Sequence, residues 1–105
     1  LGPPSSTPTP QAWREVARWE GRSSKNTETF HISSYEWRIS WDTAPDEHGG
    51  GSLAIFVYRA DGSLLGLAAN VTGEDADSTI MRGAGDYYLR IETTQPYVIG
   101  VDESQ

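Results

Sequence analysis

Three groups of carboxylates are the residues of this chain whose types and spacing come nearest to chemistry. They are Asp42 with Asp46 and Glu47, Glu74 with Asp75 and Asp77, and Asp102 with Glu103. A hard cation such as calcium needs about six to eight oxygen ligands, usually loop carboxylates and backbone carbonyls. The loop 73–78 is the first candidate for such a site and the loop 42–47 the second. Their spacing matches no EF-hand, and solvated acidic loops that keep a domain soluble are the competing role. Calcium is the one cofactor the sequence allows for; otherwise none is implied.

The aromatic residues offer a second chemistry, the stacking of sugar rings on exposed Trp and Tyr. Trp13, Trp19, Tyr35, Trp37 and Trp41 are the candidates. Trp37 and Trp41 read as core, because a small sandwich needs large side chains to fill its interior. Trp13, Trp19 and Tyr35 remain as ligand candidates, with Trp13 the best placed to be exposed.

Catalytic sets are harder to find. His48-Gly49-Gly50-Gly51 has the form of a loop that donates to an oxyanion, yet no G-x-S-x-G nucleophile elbow accompanies it, so a glycine-rich surface turn is expected. His31 and His48 lack the paired spacing of a zinc site, and His31 falls on the polar parity of its segment. Asn70-Val71-Thr72 is a glycosylation sequon. The expectation is a protein that is not an enzyme.

A length of 105 residues fits one domain, and the absence of cysteine excludes disulfide scaffolds and thiolate metal sites. With Asp+Glu 15 against Lys+Arg 8, the net charge of -7 disfavours nucleic acid and anionic membrane as partners. No apolar run approaches the roughly 20 residues of a spanning helix, so no transmembrane segment is expected.

Residues 1–10, LGPPSSTPTP, read as a flexible Pro/Ser/Thr-rich linker ahead of a single domain over 11–105. Tyr35, Trp37, Ile39 and Trp41 alternate with polar residues and predict a half-buried strand. LAIFVYRA, residues 53–60, is apolar on both parities and predicts a central strand covered on both sides. Asp61-Gly62 predicts a tight turn into a return strand over 63–72, with a bulge at Gly66. A short strand over 79–82, a glycine turn over 83–86, and strands around Tyr87 to Ile91 and Tyr97 to Val101 follow, the last two expected to form a second hairpin. Residues 27–33 predict a strand, as do 13–20, where Trp13, Ala17 and Trp19 share parity. About eight short antiparallel strands imply an all-β fold, a jelly-roll-like β-sandwich.

LAIFVYRADGSLL over 53–65, GAGDYYLRI over 83–91 and YVIGVD over 97–102 together resemble the bacterial pre-peptidase C-terminal domain, a β-sandwich appended to exported proteins. Phe30 to Trp41 is similar to its earlier strands. The resemblance implies an extracytoplasmic, non-catalytic accessory domain that spaces, stabilises or targets a neighbour, with collagen or polysaccharide binding and calcium in some similar members. Collagen-binding members draw calcium ligands from an acidic N-terminal segment, where this chain has Ser, Thr and Pro. The family also resembles small lipoprotein domains, so an anchor upstream of Leu1 fits the same picture. The expected partner is another protein or domain, or a polysaccharide, in the cell envelope or outside the cell. A carbohydrate-binding module, calcium-supported or not, is the alternative function.

Overall fold

A computed structural model describes residues 12–105; the linker expected over 1–10 lies outside them. The described residues form nine β-strands in two antiparallel sheets. They are β1 (Trp13–Gly21), β2 (Lys25–Asn26), β3 (Phe30–Ile32), β4 (Glu36–Thr43), β5 (Ser52–Arg59), β6 (Leu64–Thr72), β7 (Asp75–Arg82), β8 (Gly85–Thr93) and β9 (Tyr97–Ser104).

One sheet has the order β1-β9-β4-β7, and the other β2-β8-β5-β6 with β3 also paired to β8. Counting β2 and β3 as one interrupted strand along β8 leaves eight units in the interleaved order of a jelly roll. The β-sandwich expectation therefore holds, and the jelly-roll path follows from the strand order.

Strict alternation builds the interior. Trp37, Ile39, Trp41 and Thr43 of β4 face Leu53, Ile55 and Val57 of β5, with Leu89, Ile91, Ile99 and Val101 between, all buried. An aromatic cluster fills one end: Trp37 lies 4.7 Å from Tyr87 between ring centroids, and Phe30 meets Trp37 edge-on at 5.7 Å. Side-chain bonds close both flanks. The Trp19 indole N–H donates to Glu28 at 3.2 Å on one side, and Thr79 Oγ1 donates to the Ala68 carbonyl at 2.9 Å on the other.

Several expectations change. The β5–β6 hairpin forms, with Gly62 at φ 93° in its turn and Asp61 Oδ1 accepting the Ser63 N–H at 2.8 Å. The second hairpin does not: β8 lies in the five-stranded sheet and β9 in the four-stranded one, so 94–96 carries the chain across the sandwich. The segment 73–78, expected as a loop, enters β7 at Asp75, so that strand runs well before Thr79. The strand expected over 27–33 shrinks to Phe30–Ile32. The irregularity placed at Gly66 falls on Leu65 and Ala68, which have no partner of their own in the register with β5. A further bulge between Glu15 and Ala17 turns Trp13 outward and Trp19 inward, breaking their shared parity.

Candidate functional site

Period-two geometry sends neighbouring residues to opposite faces, and this separates the carboxylates that sequence proximity groups together. Asp102 points outward and accepts from Arg38 Nε at 3.1 Å, while Glu103 points inward and is 3% exposed. The Glu103 carboxylate pairs with Arg14 and accepts the backbone N–H of Ser33 at 2.7 Å and of Ser34 at 3.2 Å. Its pKa falls to about 2, chiefly through Arg14 and, against the opposing cost of burial, with help from the two serines. This group is structural: it ties β9 to β1 and to the β3–β4 connection.

The carboxylates of the two calcium candidates are held by strand register and local hydrogen bonds. Asp42 lies on the outer face of β4, whereas Asp75 faces inward and accepts the Trp41 indole N–H at 2.7 Å. Asp77 accepts the Ser78 N–H at 2.8 Å, and Glu74 sits exposed in the bend before β7. Asp46 Oδ1 is engaged by the His48 and Gly50 N–H groups at 2.8 and 3.0 Å, and Glu47 is exposed beside His48. Among the described residues, no three His, Cys, Asp or Glu side chains gather as a metal would require.

The sugar-stacking candidates separate too. Trp19 is buried, which corrects its reading as a ligand platform. Trp13 is half-buried with the Arg38 guanidinium 4.5 Å above its ring, so one of its faces is covered. Tyr35, a ligand candidate that shares strand parity with Trp37, lies in the bend before β4 and is 72% exposed. His31 is exposed, its Nδ1 2.8 Å from Asp86.

The feature that sequence reasoning missed is the outer face of the five-stranded sheet. The apolar residues of β5 on the second parity, Ala54, Phe56 and Tyr58, are half-buried, not covered by another layer. Register places Leu64, Tyr58 and Tyr88 in one row across β6, β5 and β8, and Leu67, Phe56 and Arg90 in the next. The Tyr58 and Tyr88 rings stack at 5.1 Å with 5° between their planes. Leu64 and Leu67 are 56% and 51% exposed. At the border of this patch Arg90 pairs with Glu92 at 2.6 Å, and His31 Nδ1 lies 2.8 Å from Asp86. A face of aromatics and leucines thus stands out on a chain of net charge -7. Doubled apolar parity in β5 and the Tyr87-Tyr88 pair were the available signals, and both pointed equally well to a two-sided core.

Two open clefts lie at the end of the sandwich where the chain crosses between sheets. One, of about 440 Å³, is lined by Glu20, Arg22, Asp42 and Tyr97, and the other, of about 550 Å³, by Asp46, Glu47 and His48. They meet at Arg22 and Pro96, and their carboxylates give them an acidic lip.

No family model and no curated protein matches the chain. Among solved structures it is similar to Bacillus endospore appendages, described as disulfide-linked pili, at 14% identity and TM-score 0.49, covering 99% of this chain and 96% of that one. It is also similar to the structure of infectious bursal disease virus Gt strain, at 10% identity and TM-score 0.37, covering 98% of this chain and 35% of that one.

Proposed function

We propose that this chain is a non-catalytic protein-interaction domain of an exported protein, and that it engages its partner through the outer face of the five-stranded sheet. One observation carries the reading: Phe56, Tyr58, Tyr88, Leu64 and Leu67 form a contiguous patch, with Arg90 beside it paired to Glu92. Protein contact surfaces are enriched in aromatic residues and depleted of unpaired charge at their centre. The tyrosines support a protein partner over a sugar. Rings stacked against each other present edges and hydroxyls, whereas a pyranose needs a free ring face. The Pro/Ser/Thr-rich segment 1–10 and the resemblance to an appended bacterial domain support an extracytoplasmic setting.

A photocrosslinking residue, p-benzoylphenylalanine, placed at position 88 in the producing cell tests this. A discrete protein adduct from position 88, absent when the same residue replaces Ser78 on the other sheet, is expected. Equal adducts from the two positions, or none, overturn the reading.

The carbohydrate-binding alternative retains one supporting observation, the exposure of Tyr35. It predicts that a soluble polysaccharide quenches aromatic fluorescence and that Tyr35→Ala weakens the quenching. No response across a broad glycan panel removes it.

A further inference from the structure

Every sheet edge is a row of backbone donors and acceptors open to another strand, and proteins blunt such edges with charges, prolines or brevity. Three of the four edges here are blunted. β1 carries Arg14, Glu15, Arg18 and Glu20; β7 carries Asp75, Asp77 and Arg82; β2 and β3 are two and three residues long. The fourth, β6, runs for nine residues as LLGLAANVT without a charge or a proline, and among the described residues pairs with β5 alone. Among the described residues it is protected by the bulges at Leu65 and Ala68 and by the Thr79 hydroxyl on the Ala68 carbonyl.

We infer that β6 is the site at which a second copy of this chain adds, antiparallel about a two-fold axis, joining the two five-stranded sheets into one. This rests on the reading above that the patch beside β6 meets protein, and it adds a second copy at the edge of that patch, widening the face that the partner meets.

Charge selects that partner. Two chains of net charge -7 repel wherever their acidic surfaces meet, and β6, which carries no charged residue, is an edge along which they approach without that repulsion. A charged peptide finds no counter-charge on this edge. A strand paired antiparallel with its own copy is self-complementary, so the contact closes at two chains. Leu67, half exposed at the rim of the patch, then meets its counterpart at the axis, and each chain's Phe56–Tyr58–Tyr88 surface becomes half of one larger face.

Light scattering on the eluting chain, loaded at up to about 200 μM to capture weak dimers, reads the state directly. A mass twice the chain's 11.5 kDa is expected, together with slower amide exchange in 64–72 as concentration rises. Leu67→Lys and Leu67→Glu, at an exposed position where folding is little affected, each weaken the dimer about tenfold or more, and mixing the two restores it. Near-ultraviolet circular dichroism confirms that both variants keep their packing. A monomer throughout the concentration range overturns the inference, as does a ladder of larger masses, which requires a head-to-tail contact. So does a dimer that both substitutions leave intact. A monomer that still gives the position-88 protein adduct refutes only the second copy and leaves the interaction reading standing. A β6 dimer without that adduct refutes the face and keeps the edge.

Discussion

The carboxylate of Glu103, at the end of β9, accepts the backbone N–H of Ser33 at 2.7 Å while Arg14 of β1 closes on its other side. One buried charge thus binds three segments separated by most of the chain. Its pKa of about 2, against an ordinary value of 4.5, makes it a source of stability above the ordinary carboxylate range. The unfolded chain binds the proton more readily than the folded one, so this stability is complete near pH 7 and lost as pH falls from about 5 towards 2. Allowing for the exposed side of Arg14, the contribution is about 2 kcal/mol. Glu103→Gln is expected to lower the urea midpoint at pH 7 and to flatten its acid dependence. An unchanged acid limb in the variant contradicts this role.

Gly51 faces Gln95 more closely than any side chain allows. A Cβ at that position meets Gln95 Oε1 at 2.7 Å and Cβ at 2.9 Å, and the backbone there has φ 117°. Gln95 cannot retreat easily, because its Nε2 donates to Thr43 Oγ1 at 2.8 Å and to the Gly73 carbonyl at 2.9 Å. Gly51→Ala is expected to cost about 2–3 kcal/mol, read as a lower melting temperature, whereas Gly50→Ala, with open space around it, costs well under half of that. Equal losses at the two positions contradict the packing described.

The Tyr58–Tyr88 stack lies on an uncovered face, so its removal is expected to affect binding far more than folding. Tyr58→Ser with Tyr88→Ser should cost about 1–2 kcal/mol of stability while abolishing contact with the partner. Global unfolding of the double variant is the contrary result.

Among the described residues no three carboxylates gather at one point, as a bound calcium would require. Chelation with EDTA, or addition of millimolar calcium, is expected to move the melting temperature by less than about 1 °C, against the several degrees that a bound ion confers by linkage. A larger rise with calcium contradicts the placement of Asp42, Asp75 and Asp77.

How far the sequence discloses the fold depends on how local each cause is. Burial of Trp37, Ile39 and Trp41 follows from alternation within β4 alone, and the β5–β6 hairpin from Asp61-Gly62 between two apolar runs. The crossing at Thr94 to Pro96 does not, because the partner of β9 is chosen by surfaces that β1 and β4 bring from far along the chain. The bulge near Val16 is equally invisible, and it alone decides that Trp19 is core and Trp13 is not. Tyr35 shares parity with Trp37, yet the strand begins one residue too late to carry it inward. The candidate face escaped for a related reason: apolar residues on both parities of β5 read as two buried sides, whereas one of those sides lies outside the sandwich.

Hydroxyl-radical footprinting, which reads the solvent access of individual tyrosines, tests the central claim most directly. The comparison is between the isolated chain and the same chain in its native assembly on the producing cell. The account predicts that oxidation of Tyr58 and Tyr88 falls together in the assembly while Tyr35, at the end of the sandwich, stays reactive. Undiminished oxidation of Tyr58 and Tyr88, or protection at Tyr35 alone, contradicts it.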